Sequence, residues 1–185
     1  VRMHAAVGTS LSTIVATSWR SLETHRKAGA VDMEVLRRWA PWIAAGASAG
    51  AIAASFANAE ALLLVFGGGL LLVAAQMGLA DPNWRAFAEL PRGAARAATA
   101  GALGMLSAMM GIGGGAFGVT VMTLCGRPIH QAVATASGFG AAIALPAALG
   151  FVLTGWGRAG LPPWSLGFVS VPGFVALAAL TAITA

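Results

Sequence analysis

Long apolar blocks alternate with short polar connections along this chain. Six blocks are distinct, and they cover residues 4–19, 40–56, 60–77, 97–124, 131–153 and 164–185. As helices, they have about the length that crosses the roughly 30 Å of hydrocarbon in a bilayer, and most charged residues lie in the connections. The pattern predicts an all-α integral membrane protein, a polytopic helical bundle of six alternating spans in the lipid bilayer. The fourth block is long for a single span.

The basic residues of the connections predict how the spans are oriented. Connection 20–39 contains five Lys or Arg residues, 78–96 contains three and 154–163 contains one. If these three connections share one side, only Arg2 and Arg127 fall on the other, a split of nine to two. The positive-inside rule therefore predicts that the three connections are cytoplasmic. Tryptophan rings prefer the membrane interface, and all six fall at or near block ends on this side (Trp19, Trp39, Trp42, Trp84, Trp156 and Trp164).

Connection 78–96 divides the chain into two halves. It carries two prolines and charges of both signs, which is typical of a surface linker. Residues 1–77 then form a first half, and residues 97–185 form a second half.

A short motif occurs once in each half. The segment "MHAAVGTS" aligns with "IHQAVATA" at an offset of 126 residues, which pairs His4 with His130 and Thr9 with Thr135. The match indicates an internal duplication, a common plan of membrane transporters. Six alternating spans would make the two repeats parallel, whereas a re-entrant fourth block would make them inverted.

The stretch "SAMMGIGGGAFGVTV" places five glycines within the eight positions 111–118. Each interior glycine costs a helix roughly 1 kcal/mol relative to alanine. The G-x-G-x-x-G pattern in this stretch lacks the strand and βαβ unit that dinucleotide binding needs. The glycines either pack helices closely, through two G-x-x-x-G pairs, or break the helix so that the N–H groups of Gly113, Gly114 and Gly115 hold an anion. The break is favoured because Gly113 and Gly114 are surplus to a single packing face.

The repeated motif brings polar side chains into otherwise apolar blocks. Polar residues within a membrane usually face a transport pathway or a partner helix. A single hydroxyl more often bonds back to its own helix, but a repeated pair with histidine at the helix entrance is also typical of a pathway lining. The polar residues concerned are His4, Thr9, Ser10, Ser12, Thr13, His130, Thr135 and Ser137.

The composition excludes several classes of protein. Only 9% of residues are charged and the mean hydropathy is +0.80, which excludes a soluble domain. The net charge of +5 comes from short loops beside the spans, so no nucleic-acid partner is expected. A single cysteine, Cys125, excludes an intrachain disulfide, and no metal-ligand motif is present. The carboxylate nearest a block core is Glu60, which lies at a helix start where the helix dipole favours an acid. Because no block core contains a pair of carboxylates for acid–base catalysis, neither an enzyme nor a cofactor is predicted.

Three segments carry a family resemblance: "GMLSAMMGIGGGAFGVTVM", "GRPIHQAVATAS" and the related first-half segment "MHAAVGTSL". They resemble the sulfite exporter TauE/SafE family of bacterial membrane permeases. The resemblance implies a multi-pass protein of the inner cell membrane with two halves of about four spans, each beginning with a glycine-rich segment. It implies transport of small sulfur anions such as sulfite or sulfoacetate. It also implies that the first span, before Val1, and the last span are missing. The second half departs from the first at Ala134 and Ala136, where the first has Gly8 and Ser10.

Together these features predict a permease that exports a small anion from a site between the halves. Moving one negative charge out of a negative cell interior gains roughly 2.3 kcal/mol per 100 mV, so export needs no coupled ion. The alternative is a non-transporting scaffold or assembly subunit whose glycines only pack helices. The oligomeric state stays open. The predicted substrate-binding residues are Gly113, Gly114, Gly115, His130, Thr135, His4, Thr9 and Ser10.

Overall fold

A computed structural model describes residues 2–79, 89–158, 160–161 and 163–184. This part of the chain forms α-helices and one two-stranded hairpin, so the predicted all-α bundle is confirmed. The fourth apolar block becomes two helices, the last block contains the hairpin and one helix, and each of the other blocks becomes one helix. The elements are α1 (Arg2–Lys27), α2 (Met33–Phe56), α3 (Ala59–Leu79), α4 (Gly93–Met110), α5 (Gly115–Leu124), α6 (Ile129–Gly155), β1 (Ser165–Leu166), β2 (Val169–Ser170) and α7 (Val171–Thr184).

Short turns separate the first three helices, and a polar residue caps the start of α2 and of α3. The side chain of Asp32 accepts a hydrogen bond from the N–H of Val35 at 3.1 Å and so caps the start of α2. The side chain of Asn58 accepts a hydrogen bond from the N–H of Ala61 at 2.8 Å and so caps the first turn of α3. Glu60 also lies in that first turn, as the sequence predicted, where the helix dipole favours a negative charge.

Helices α2 and α4 run parallel with their backbones in close contact. Gly46 lies against the backbone of Gly101, and Gly50, one turn later in α2, lies against the backbone of Met105, one turn later in α4. Gly104 lies against the carbonyl group of Ile43 and the backbone N of Ala47. A Cβ atom at Gly46 or Gly104 would collide with that facing backbone. Small residues therefore set the spacing between these two helices.

Helix α1 runs antiparallel to both α2 and α6. The imidazole Nε2 of His4 donates a hydrogen bond to the carbonyl oxygen of Ala54 at 2.9 Å, so α1 begins where α2 ends. Gly138, near the start of α6, packs against Leu22 near the end of α1, and Gly8 packs against Phe151 near the end of α6. Helices α2 and α6 are consequently parallel to each other.

These directions give the bundle two ends. We call the end where α1 begins and α2 and α6 finish the His4 end. We call the opposite end, where α1 finishes and α2 and α6 begin, the Asp32 end.

Helices α4 and α5 form a re-entrant hairpin. Gly114 packs against Ile143 and Gly118 packs against Phe139, so α5 runs antiparallel to α6. Because α4 is parallel to α2 and therefore to α6, α4 and α5 run in opposite directions. The fourth block thus enters and leaves at the Asp32 end, and the prediction of six alternating spans was wrong for this block.

The segment after α6 lies at the His4 end. The ring of Phe168 stacks on the ring of His4 with centroids 5.1 Å apart, and the Arg158 guanidinium lies 5.5 Å from the centroid of Phe168. Connection 154–163 is therefore at the opposite end from connection 20–39. The prediction that they share a side was wrong, because the re-entrant hairpin reverses the direction of every later helix.

The same reversal moves Arg127 to the Asp32 end. Its guanidinium pairs with the carboxylate of Asp32 at 3.4 Å. Arg127 and Arg158 have thus exchanged ends relative to the prediction. The predicted grouping of all tryptophans at one end was also wrong, since Trp156 and Trp164 follow α6. The predicted linker residues 80–88, with Trp84 and Arg85, lie outside the described residues.

Two helices among the described residues are long and apolar enough to cross a membrane. Their windows are Ala59–Gln76 and Ile129–Gly155, and shorter apolar helices cover Gly115–Leu124 and Val171–Thr181. Only 11% of the first window is buried, and its Leu64 side chain is 75% exposed. Such an apolar outer surface suits contact with lipid chains.

Candidate functional site

The predicted glycine break is present between α4 and α5. Helix α4 ends at Met110, and Gly111 adopts a left-handed φ of 70°. The N–H of Ile112 then bonds back to the carbonyl of Ser107 at 3.1 Å, which closes the last turn. Gly114 has a φ of 67° and precedes the first residue of α5. Two left-handed glycines therefore turn the chain back at the tip of the hairpin.

The tip of the hairpin lies halfway along α1 and α6. Gly113 packs against Ile14, and Gly114 packs against Ile143, each in the middle of its helix. The carbonyl oxygen of Gly113 lies 2.7 Å from where a Cβ atom of Gly140 would sit. The break is thus held between the two helices that carry the repeated motif. Gly113 and Gly114 are tightly packed, so the argument that they are surplus to packing was wrong.

The start of α5 leaves backbone donors at this central position. The first N–H of α5 that bonds back along the chain belongs to Gly118, which donates to the carbonyl of Gly114 at 2.8 Å. The preceding N–H groups of Gly115, Ala116 and Phe117 have no acceptor within their own helix, and the helix dipole adds partial positive charge there. Gly115 has no heavy atom within 4 Å of where its Cβ would sit. These donors and the adjacent open space form an arrangement that can accept an anion.

Ser107 is a polar residue of this region that the sequence reasoning missed. Its hydroxyl is fully buried, at 0% exposure, and finds no hydrogen-bond partner among the described residues. Leu103, one turn earlier on the same face of α4, has its Cδ2 atom 3.8 Å from where a Cβ of Gly114 would sit. Ser107 therefore occupies the side of α4 that faces the break. The sequence feature that could have identified Ser107 is its position four residues, about one helical turn, before Gly111.

Ser10 is the predicted hydroxyl that reaches the break. It donates a hydrogen bond to the carbonyl oxygen of Gly111 at 3.0 Å. This bond joins α1 to the end of α4 and satisfies a carbonyl group that the turn removes from the helix. Ser10 thereby supports the tip of the hairpin.

The two predicted threonines lie on either side of Gly113, and their hydroxyls bond away from the turn. Thr9 donates to the carbonyl of Ala5 at 2.7 Å and accepts from the N–H of Ser170 at 2.9 Å. Thr135 is fully buried and accepts from the N–H of Asp32 at 3.0 Å. Both hydroxyls therefore hold the start of another helix.

The two predicted histidines lie towards the ends of the bundle. His4 is ten residues before Ile14, the neighbour of Gly113, which corresponds to about 15 Å along the axis of α1, and three residues before Val7, the neighbour of Gly111. Its Nε2 bonds to the Ala54 carbonyl, while its Nδ1 is buried without a partner among the described residues. His130 is exposed at the start of α6, ten residues before Gly140. The structure does not bring either imidazole to the glycine tip.

Acidic and metal-binding groups are sparse in the described part of the chain. No group of three or more His, Cys, Asp or Glu residues is close enough there to hold a metal ion. The described carboxylates all lie at helix ends or in connections, at Glu23, Asp32, Glu34, Glu60 and Glu89. The break is consequently surrounded by apolar groups, hydroxyls and backbone amides.

Comparisons with known proteins agree with the motifs. The family described as "Sulfite exporter TauE/SafE" matches residues 1–185. A protein of Haemophilus influenzae named "Probable membrane transporter protein" is 27% identical over 182 residues, which cover 98% of this chain and 69% of that protein. No solved structure matches the chain. The resemblance drawn from the glycine stretch and the repeated motif is confirmed, and the chain belongs to the sulfite exporter TauE/SafE family.

Proposed function

We propose that the protein is a permease for a small anion, which binds at the start of α5. The observation that carries the proposal is the pairing of free α5 N–H donors and open space at Gly115 with the unpartnered hydroxyl of Ser107. In a site with little water, such donors interact with a negative charge more strongly than they do in solution. Gly113 and Gly114 shape the turn, and Ser10 supports it.

We propose further that the two halves, 1–77 and 97–185, are inverted repeats. The helices that carry the repeated motif, α1 and α6, run antiparallel and enclose the break at their midpoints. In transporters built from inverted repeats, a substrate site near the membrane centre is reached alternately from the two sides. The position of the hairpin tip supports this plan.

The orientation follows from the basic residues. With Arg127 at the Asp32 end and Arg158 at the His4 end, the split of Lys and Arg remains nine to two. We propose that the Asp32 end faces the cytoplasm, by the positive-inside rule. The protein would then span the inner cell membrane, and connections 20–39 and 78–96 would be cytoplasmic.

The family supports an oxidised sulfur anion, such as sulfite or sulfoacetate, as the substrate, and export as the direction. The membrane potential alone favours outward movement by roughly 2.3 kcal/mol per negative charge at 100 mV. None of the described carboxylates lies at the break to couple a proton or a sodium ion.

A non-transporting membrane scaffold is the second candidate. The packing of Gly46 and Gly104 against facing backbone, and of Gly113 and Gly114 against isoleucines, favours it, because glycines in this chain do serve helix contacts. The two candidates differ at Gly115. Among the described residues, no heavy atom outside its own helix lies within 4 Å of a Cβ placed on Gly115, whereas the proposed site depends on this residue.

The test is counterflow of radiolabelled sulfite or sulfoacetate into proteoliposomes that contain the full-length protein. Gly115→Leu is compared with Gly68→Leu, because both glycines lie in helices with nothing within 4 Å of a new Cβ. We expect wild type and Gly68→Leu to take up the anion and Gly115→Leu to fold but lose uptake. Equal uptake by the two variants would show that the anion does not bind at Gly115. Absence of uptake by folded wild-type protein would favour the scaffold.

A further inference from the structure

Two threonines at equivalent positions of the repeated motif make the same type of hydrogen bond towards opposite ends of the bundle. The Thr9 hydroxyl accepts from the N–H of Ser170, and the Thr135 hydroxyl accepts from the N–H of Asp32. Each bond joins one half of the chain to the other. We call them the Thr9 contact and the Thr135 contact.

The partners of the two threonines are also alike. The carboxylate of Asp32 accepts from the N–H of Val35 at 3.1 Å, at the start of α2. The hydroxyl of Ser170 accepts from the N–H of Gly173 at 3.4 Å, at the start of α7. Each threonine therefore holds the first turn of the helix that follows the motif helix in the opposite half.

Measured from Gly113, the two contacts lie at similar distances along their helices, while Gly111 lies beside the Thr9 contact, against Val7 and Ser10. Thr9 is five residues before Ile14, which packs on Gly113, and Thr135 is five residues before Gly140, which meets the carbonyl of Gly113. Five residues correspond to about 7.5 Å along a helix. One contact thus lies on the His4 side of Gly113, and the other lies on its Asp32 side.

Each contact is reinforced differently by its surroundings. At the Asp32 end, Arg127 forms an ion pair with the carboxylate of Asp32. At the His4 end, the fully buried Phe168 packs between the rings of His4 and Phe151. Both contacts are formed in this structure.

We propose that the Thr9 contact and the Thr135 contact are the two gates of the transport pathway, of which only one opens at a time. This inference rests on the proposed function, because a gate needs a site to guard. A single hydrogen bond shifts an equilibrium by about two- to tenfold, so thermal motion and substrate binding suffice to break it. Loss of one contact releases the start of α7 or of α2 and admits water to the tip from that end.

The test measures how fast reporter cysteines react with a membrane-impermeant maleimide. The reporters are Leu11→Cys, between Thr9 and the tip, and Ala136→Cys, between Thr135 and the tip, both in full-length Cys125→Ser protein in oriented vesicles. Leu11 and Ala136 are at most 1% exposed, so both reporters start from slow reaction. Thr9→Val and Thr135→Val remove one hydroxyl each at nearly constant volume.

We expect Thr9→Val to raise the rate at the Leu11→Cys reporter by about two- to tenfold from the His4 end and to lower it at the Ala136→Cys reporter. Thr135→Val is expected to produce the reverse. The matched control is Thr13→Val, because Thr13 is also buried but bonds only to the carbonyl of Thr9 in its own helix. If a valine variant fails to fold, the alanine variant at the same position takes its place.

If one valine variant raised the labelling rates of both reporters, the substitution would have loosened the whole bundle and the proposal would be overturned. Unchanged labelling rates at both reporters would overturn it as well. The readout involves no anion, so it is independent of the substrate. Reciprocal labelling without anion flux would refute the permease and leave a two-gated fold. Flux in wild type with unchanged labelling in both valine variants would refute the gates and leave the permease.

Discussion

The hydroxyl of Ser10 donates a hydrogen bond at 3.0 Å to the carbonyl oxygen of Gly111, where α4 ends. This bond ties the middle of α1 to the re-entrant hairpin across 101 residues of sequence. It satisfies a carbonyl group that the left-handed turn at Gly111 takes out of the helix. The position of the hairpin tip therefore depends on a side chain of the repeated motif.

Replacement of Ser10 is expected to destabilise the protein. Ser10→Ala leaves the carbonyl of Gly111 without its partner, at a cost of about 1 kcal/mol in the free energy of unfolding. Ser12→Ala is the control, because the Ser12 hydroxyl bonds only to the carbonyl of Gly8 in its own helix. Denaturant unfolding in detergent micelles measures both, and equal losses would contradict a special role for the bond to Gly111.

Gly114→Ala is expected to destabilise the hairpin tip for two reasons. A left-handed φ of 67° costs a non-glycine residue about 1–2 kcal/mol, and the new methyl group would meet the Cδ1 atom of Ile143. Ile143→Val removes that Cδ1 atom, so the double variant should recover the steric part of the loss only. Complete recovery of the unfolding free energy would show that backbone strain is negligible here.

Ser107→Ala separates binding from stability. Removal of a buried hydroxyl without a partner should leave the unfolding free energy unchanged or raise it. If the hydroxyl donates to the bound anion, the dissociation constant for sulfite should rise by about tenfold or more, since hydrogen bonds to charged groups are the stronger ones. Calorimetric titration checks this, with Thr99→Ala on the exposed face of α4 as control. An unchanged affinity would assign Ser107 to packing.

Two glycine-to-alanine changes should shift stability in opposite directions. Alanine is favoured over glycine in a helix interior by roughly 1 kcal/mol, so Gly67→Ala, with open space around it, should stabilise α3. At Gly104 the new methyl group would collide with the backbone of α2, so Gly104→Ala should lower the melting temperature. Thermal unfolding of both variants in the same detergent decides this, and stabilisation by Gly104→Ala would contradict the close α2–α4 contact.

Alkylation of Cys125 should be slow at neutral pH. Burial raises the pKa of the Cys125 thiol above its usual value, although the charge of Arg127 opposes the shift. The thiolate is the reactive form, so a raised pKa means less of it at pH 7 and a reaction rate that keeps rising at more alkaline pH. Maleimide labelling of the folded protein from pH 6.5 to 9.5 measures this, with free cysteine as reference. A rate that levels off at lower pH than that of free cysteine would contradict the prediction.

The helices were predictable because their causes are local. A run of apolar residues long enough for a membrane span forms a helix whatever its neighbours are, and the caps at Asp32 and Asn58 act within three residues. The break was predictable for the same reason, since Gly111 and Gly114 supply the left-handed φ values that the turn needs.

The direction of the later helices was not predictable from charge. Arg127 and Arg158 carry the same charge, so exchanging their ends leaves the nine-to-two split intact. Tertiary contacts, such as those of Arg127 with Asp32 and of Phe168 with His4, distinguish the two arrangements. The sequence had left both the parallel and the inverted repeat open.

The amino-acid sequence by itself determined the membrane class, the helical blocks, the glycine break and the family, because each of these depends on residue types within one short segment. Tertiary structure alone decided that the break is a re-entrant tip, that Ser107 faces it, and that Thr9 and Thr135 bond to Ser170 and Asp32 instead of lining it. The physical reason is that a hydroxyl takes whichever donor or acceptor packing brings within 3 Å, and its partner here is more than one hundred residues away.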